Sequence, residues 1–214
     1  MKTKYNRTFH FPFSPGATGD DKIASDCSNL IGKRIVITEK LDGENCGHNN
    51  RGVYARSHAE FTISPWAKEV RQINQIIRYD LSEDMFVFGE NMEGIHSIEY
   101  TNLKSYFYIF GIRQLDNWWS WSDVEDFSIL LDLPTVPVLF DGVIEKYEDL
   151  KEKVESLVKE ESRLGGQMEG VVARVYNSFN DEEFETSVIK WVRKGHVQTD
   201  EHWTKNWVKA KLSL

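Results

Sequence analysis

The run Glu39-Lys40-Leu41-Asp42-Gly43-Glu44-Asn45 joins a lysine to a tight turn and is the most informative stretch of the chain, although taken alone it also reads as an ordinary strand-turn with an exposed lysine. A lysine is a nucleophile only as the free amine, so its ammonium must lose a proton near neutral pH. Partial burial and a second cation nearby both favour that loss. The Asp42-Gly43 turn follows at once, and a glycine there lets a phosphate approach the backbone closely. Further along, charged and aromatic residues recur at the ends of β-rich stretches. Arg56 lies in Tyr54-Ala55-Arg56-Ser57-His58, Glu90 in Phe86-Val87-Phe88-Gly89-Glu90, and Phe110 in Tyr106-Phe107-Tyr108-Ile109-Phe110-Gly111. Glu169 opens Glu169-Gly170-Val171-Val172-Ala173-Arg174, and Lys190 closes Val188-Ile189-Lys190-Trp191. Each has an ordinary alternative taken singly. Arg56 and Lys190 are common strand-end charges, Glu90 and Glu169 common turn carboxylates, and Phe110 a common core ring.

The elements that hold these residues can be read from periodicity. Lys33 to Glu39 alternates apolar and polar and predicts a strand that ends at Lys40. Gly52 to Arg56 predicts a short strand after the turn at Asn49-Asn50-Arg51-Gly52. Trp66, Val70, Ile73 and Ile77 fall on one helix face behind Pro65. Met85 to Phe88 and Tyr106 to Ile112 predict aromatic strands. Ser122 and Glu125 form a capping-box pattern ahead of Phe127, Leu130 and Leu131. Tyr147, Leu150, Val154 and Leu157 mark a further amphipathic helix. Met168 to Tyr176 and Phe184 to Val192 predict strands. Thr199 or Asp200 caps a final helix whose Trp203 and Trp207 pack it onto the body or, less simply, stack on single-stranded RNA. The Phe11–Gly16 stretch predicts an ordered loop before the first strand. Strands and helices intersperse, with short turns between strands. This predicts an α+β domain of mainly antiparallel sheets flanked by helices.

The chain has 214 residues, 40% of them hydrophobic and 13% aromatic, enough to build a sizeable core and to exclude wholesale disorder. No apolar run approaches the length of a membrane span, and the N-terminal residues lack the apolar block of a signal peptide. Cys27 and Cys46 are too few for a disulfide framework and predict reduced thiols in a cytoplasmic protein. His10, His58, His96 and His196 have no regular spacing, so no zinc site is expected. The formal net charge is −8, which does not favour nucleic acid. Residues 190–214, however, carry six basic side chains against two acidic ones, and such a segment can meet phosphates locally.

The order of Lys40, Arg56, Glu90, Phe110, Glu169 and Lys190, each at a strand end, resembles the nucleotidyltransferase motifs of the covalent ligase and capping-enzyme superfamily. The local detail is most similar to ATP-dependent RNA ligases of the RNA ligase 2 type, over roughly residues 35 to 195. The resemblance implies a nucleotidyltransferase (ATP-grasp-like) domain. It implies that Lys40 attacks the α-phosphorus of ATP to form a lysyl–AMP phosphoramidate, and that Glu39 lies beside the adenine with its backbone reading the base edge. Arg56 would contact the ribose or phosphates, Glu90 the ribose hydroxyls, and Phe110 would stack on the adenine. Asn45 joins the ATP-binding set. Glu169 would hold a divalent metal, Mg²⁺ or Mn²⁺, through water. Lys190 would contact the α-phosphate and be the cation that depresses the pKa of Lys40. Such a set suits phosphoryl transfer, which asks for positioning and for positive charge around the non-bridging oxygens.

The chain departs from the family pattern in places. Val192 stands where many relatives have a second lysine. Arg193 and Lys194 follow it and are the candidates for the missing cation and for weak RNA contact. Gly111 stands where many relatives carry an acidic residue. A single catalytic domain over residues 1–214, with no separate C-terminal domain or small barrel, is expected. The leading expectation is an RNA ligase that seals a 5′-phosphate to a 3′-hydroxyl, with a protein partner helping an acidic body to grip RNA. A DNA ligase or a GTP-dependent capping enzyme keeps the fold and changes the substrate. A nucleotide- or RNA-binding module of a repair complex keeps neither step.

Overall fold

The apolar–polar alternation after Lys33 produces a strand, β2, over Arg34–Lys40. In this computed structural model residues 3–56, 60–195 and 203–213 are described, Trp203 by its backbone alone. Around β2 a sheet runs β1 (Phe9–His10), β11 (Val188–Val192), β9 (Gly170–Val175), β2 and β8 (Val138–Val143). Its pairings are antiparallel except β1 with β11. A second sheet runs β10 (Phe179–Asn180), β7 (Asn117–Trp118), β6 (Phe107–Gln114), β5 (Met85–Asn91), β3 (Glu44–His48) and β4 (Val53–Ala55). Every pairing in it is antiparallel. The fold class expected from the sequence, α+β with mainly antiparallel sheets, is the one observed.

The helices cover the sheets with their apolar stripes. In α3 (Tyr147–Leu157), Leu150, Val154 and Leu157 join Ile35, Ile37, Ala173 and Ile189 of the first sheet in one core. In α1 (Lys68–Ile77) and α2 (Trp121–Leu130), Val70, Ile77, Trp121 and Val124 join Val87, Ile109 and Ile112 of the second sheet in another. Burying one such side chain contributes about 1.5–3 kcal/mol, so these stripes dominate the docking.

Several local expectations are corrected. The cap of α2 is Ser120, whose Oγ accepts from the Asp123 N–H at 3.2 Å, and not Ser122 with Glu125. The aromatic face of Trp121 is needed inside the helix, which moves the start two residues back. Phe184–Ser187 forms a helical turn, α4, before β11 begins at Val188. The Asn180 cap and the acidic run Asp181-Glu182-Glu183 favour a helical start there. Phe9–His10 already pairs as a strand, so the Phe11–Gly16 loop follows the first strand. In place of a long final helix the chain has a 3₁₀ turn at Trp203–Asn206. Trp207 then meets Trp66 edge-on at 6.4 Å, and residues 208–213 bond to the 93–103 segment. Thr199, Asp200, His58 and His196 lie outside the described residues.

His48 in β3 is fully buried against the Phe107 ring, and burial pushes its imidazole down to about 3. The unfolded chain takes up a proton near pH 6.5 that the folded chain refuses. Stability from this residue is therefore complete above pH 6.5 and is lost as pH falls toward 3. Urea unfolding at pH 7 and pH 5 is expected to differ by about 2 kcal/mol from His48 alone. His48→Gln should remove that part of the difference.

Candidate active site

β2 delivers Lys40 to the mouth of a cleft of about 830 Å³ between the two sheets. Its Nζ donates to Glu169 Oε2 at 2.5 Å, and Glu169, just before β9, is 4% exposed. Lys40 stands opposite Gly170 in the β2–β9 register, which places the Glu169 carboxylate beside it. Glu90 faces the same cleft from β5. Burial works against the Lys40 ammonium, but Glu169 and Glu90 outweigh it and hold Lys40 above the ordinary lysine range. This corrects the expectation of a depressed Lys40. One cation cannot satisfy both carboxylates. Burial, with Glu169 opposing Lys40, lifts Glu90 to about 8.

The turn after Lys40 is fixed by its own side chain. Asp42 Oδ2 accepts from the N–H groups of Ser97 and Ile98 at 2.7 and 2.9 Å, and the Asp42 N–H donates to the Tyr100 hydroxyl. The Gly43 N–H donates to Glu90 Oε1 at 3.2 Å. A Cβ on Gly43 would lie 2.6 Å from the Asn91 carbonyl oxygen, so this glycine is required by the approach of β5. The expected need for room beside a phosphate is not what fixes it.

The remaining candidates come from both walls. Asn45 pairs with Glu90 across β3 and β5, and its Oδ1 is buried without a hydrogen-bond partner at the cleft. Arg56 follows β4, tied by its N–H to the Asn45 carbonyl at 3.0 Å, and lines the same cleft. Phe110 occupies a β-bulge, since Gly111 pairs with Phe88 and Ile109 with Gly89. The extra residue turns its half-buried ring toward the cleft, where Tyr5 meets it edge-on at 5.0 Å. Val172 lines the cleft from β9, on the other sheet. Glu39 also lines the cleft, but its N–H is taken by the Pro137 carbonyl and its Oε2 by the Arg163 N–H. Burial raises its carboxyl.

Lys190 lies in the middle of β11 and lines the cleft. Burial, with Lys40 and Arg56 adding like charge, pushes it down to about 8. The depressed lysine is therefore Lys190. Val192 is buried in the row of Lys40 and Gly170. Arg193 and Lys194 are not among the cleft-lining residues. Arg193 is tied by its N–H to the Glu169 carbonyl at 3.0 Å, and Lys194 is exposed. Sequence reading passed over Arg174, a buried guanidinium at the cleft that donates to the Trp119 carbonyl at 2.6 Å. The two-residue period of β9 was the available signal, since it puts Arg174 on the face of Val172.

Among the described residues no three His, Cys, Asp or Glu side chains gather as a metal-ligand group. Glu169 and Glu90 suit a hard divalent ion that keeps most of its waters and takes its other oxygens from substrate phosphate. Gly170, beside them, has no room for a side chain, because a Cβ would lie 2.0 Å from the Trp191 carbonyl oxygen. Gly170→Ala is expected to cost about 1–3 kcal/mol by forcing β9 from β11, measurable as a fall in the denaturation midpoint.

Comparison with known proteins gives the same picture. No curated protein sequence matches the chain. A Naegleria gruberi RNA ligase mutant in its apo form superposes with a TM-score of 0.60 at 16% identity, over 92% of this chain and 60% of that one. A second mutant of that ligase, with ATP and Mn, has a TM-score of 0.60 at 16% identity, over 92% and 63%. An archaeal ATP-dependent RNA ligase has a TM-score of 0.53 at 14% identity, over 86% and 48%. The chain thus spans less than two thirds of these structures, and at such identities the likeness is one of fold. Residues 33–192, from the start of the Lys40 strand to the end of the Lys190 strand, match the RNA ligase family, and the chain belongs to that family.

Proposed function

We propose that the chain is an ATP-dependent RNA ligase that works through a lysyl–AMP on Lys40. The observation that supports this most is the meeting of Lys40, Glu90 and Lys190 in one cleft, with Glu169 bonded to Lys40, within the family-matched region. Lys40, as the free amine, forms an N–P bond to the α-phosphorus of ATP while the bond to pyrophosphate breaks. A 5′-phosphate oxygen of RNA then displaces Lys40, and the RNA 3′-hydroxyl displaces AMP to leave a phosphodiester. The proton that Lys40 loses has carboxylates beside it.

Each residue has a place in that sequence. Phe110 and Val172 face the base from opposite sheets, with Glu39 at its edge. Asn45, Arg56 and Glu90 take the ribose and phosphates. Lys190 meets charge that builds on the α-phosphate oxygens. Glu169, with Glu90 nearby, would hold Mg²⁺ or Mn²⁺, which neutralises phosphate charge when bound. Arg193 and the exposed Lys194 would contact the RNA backbone. Residues 1–214 would form a single nucleotidyltransferase (ligase catalytic) domain with a role in RNA repair. Cys27 and Cys46, both buried free thiols, fit a reducing compartment such as the cytoplasm.

The test is a sealing assay with 5′-phosphate, 3′-hydroxyl RNA, offered as a nicked duplex and as free ends with ATP and Mg²⁺. Sealed product from ATP and not from GTP is expected. RNA bound but neither adenylated nor sealed would overturn the reading.

A further inference from the structure

We propose that Asp21 is a positioning residue for Lys190, anchored by His10 and Thr18 and aiming the lysine into the cleft. The inference rests on the reading of Lys190 as the α-phosphate cation.

The N-terminal segment is bonded along the strand that carries Lys190. His10 stands opposite Lys190 in the parallel β1–β11 register. The Phe11 N–H donates to the Lys190 carbonyl at 2.8 Å, and the Gly16 N–H to the Val192 carbonyl at 2.9 Å. Ser14 Oγ accepts from the Val192 N–H at 3.0 Å and lies 2.9 Å from His10 Nδ1. The chain then returns, and His10 exchanges backbone bonds of 2.8 Å with Lys22 and Ala24, which brings Asp21 alongside.

The Asp21 carboxylate is held on both oxygens. Oδ2 accepts from the Thr18 N–H at 3.0 Å and from Thr18 Oγ1 at 2.9 Å. Oδ1 lies 3.3 Å from His10 Nε2 and 3.9 Å from Lys190 Nζ. Burial works against its charge, but Thr18, His10 and Lys190 overcome this and hold Asp21 down at about 2. His10 is 1% exposed, so the ring that braces Asp21 cannot turn away easily.

The charges around Lys190 explain the need for this brace. Lys40 and Arg56 repel it, while Asp21 and the more distant Glu169 attract it. At 3.9 Å the Asp21 contact orients the ammonium without consuming it, so its N–H groups remain available for a phosphate oxygen. Without the Asp21 charge, Lys190 faces two cations with only the weaker pull of Glu169 against them, and its direction is less fixed. Misplacement of such a group slows chemistry more than it weakens binding.

The test compares the full chain with Asp21→Asn, which keeps shape and loses charge, and Asp21→Glu, which restores charge. Lys40 labelling from α-labelled ATP is followed over ATP concentration. Asp21→Asn should lower the maximal rate by ~10–100-fold with little change in half-saturation, and Asp21→Glu should recover much of it. A second readout needs no ligase activity: competitive acetylation with acetic anhydride, read by mass spectrometry. Lys190 should acetylate several times faster in Asp21→Asn than in the parent chain, relative to exposed Lys68. An unchanged Lys190 acetylation rate in a folded Asp21→Asn chain overturns the proposal. So does a labelling loss that follows lost folding and is not recovered by Asp21→Glu. A parent chain that never labels defeats the ligase reading instead, and the acetylation rates still decide the role of Asp21.

Discussion

Lys40→Ala is expected to abolish covalent capture of the nucleotide, by more than about 10⁴-fold, while the chain stays folded. Lys40 is the only candidate whose own atom forms the new bond. Its side chain sits at the strand end with Nζ on Glu169, so truncation breaks one ion pair and leaves the core rows of β2 intact. Lys40→Arg should be equally inactive, because a guanidinium stays protonated. In the parent chain Lys40 is held protonated by Glu169 and Glu90, so its free-amine fraction is small at neutral pH. That fraction rises about tenfold per pH unit below its midpoint. Labelling by α-labelled ATP, followed at fixed metal between pH 6 and 8, should accelerate in step. A rate independent of pH over that range would mean that Lys40 is not the group whose proton is lost.

The second large effect is expected at Lys190. Lys190→Ala should slow lysyl-adenylate formation by about 10²–10³-fold, the usual cost of removing one preorganised donor to developing oxyanion charge. The sign of its pH dependence is opposite to that of Lys40. Lys190 is useful only as the cation, and burial with its like-charged neighbours holds it at about 8. Activity should therefore rise with pH as Lys40 loses its proton and level off above about pH 8, where the loss of the Lys190 proton cancels the gain. Lys190→Arg keeps a permanent charge, so its rate should be lower but should go on rising through pH 8. A pre-steady-state labelling series with the three chains separates these outcomes. A Lys190→Arg rate that still levels off near pH 8 would assign the levelling to another group.

How far the sequence carried this account depends on the range of the interactions. Lys40, Asp42 and Gly43 are legible because a strand end and a tight turn are set by neighbours in the chain. The identity of the counter-charges is not, because it follows from sheet pairing. Glu169 reaches Lys40 through the β2–β9 register, across 129 residues. Nothing local in the sequence says that the pair raises Lys40 and leaves Lys190 as the depressed lysine. Phe110 was legible as an aromatic in a strand, but the bulge that turns it to the cleft depends on how β6 pairs with β5. Gly43 had its turn read correctly and its reason misassigned, since Asn91 approaches from a strand far along the chain. Arg174 and Asp21 escaped notice for the same cause. A charged residue on an inward strand position, or in a polar turn, gains meaning only from what the fold sets against it.

The most direct test is to incubate the chain with ATP and Mg²⁺, remove free nucleotide, and map the modified peptide by mass spectrometry. One AMP per chain is expected, held on Lys40 by an acid-labile and base-stable N–P bond, and released by pyrophosphate. AMP on another residue, or no covalent AMP in a folded chain that binds ATP, would contradict it.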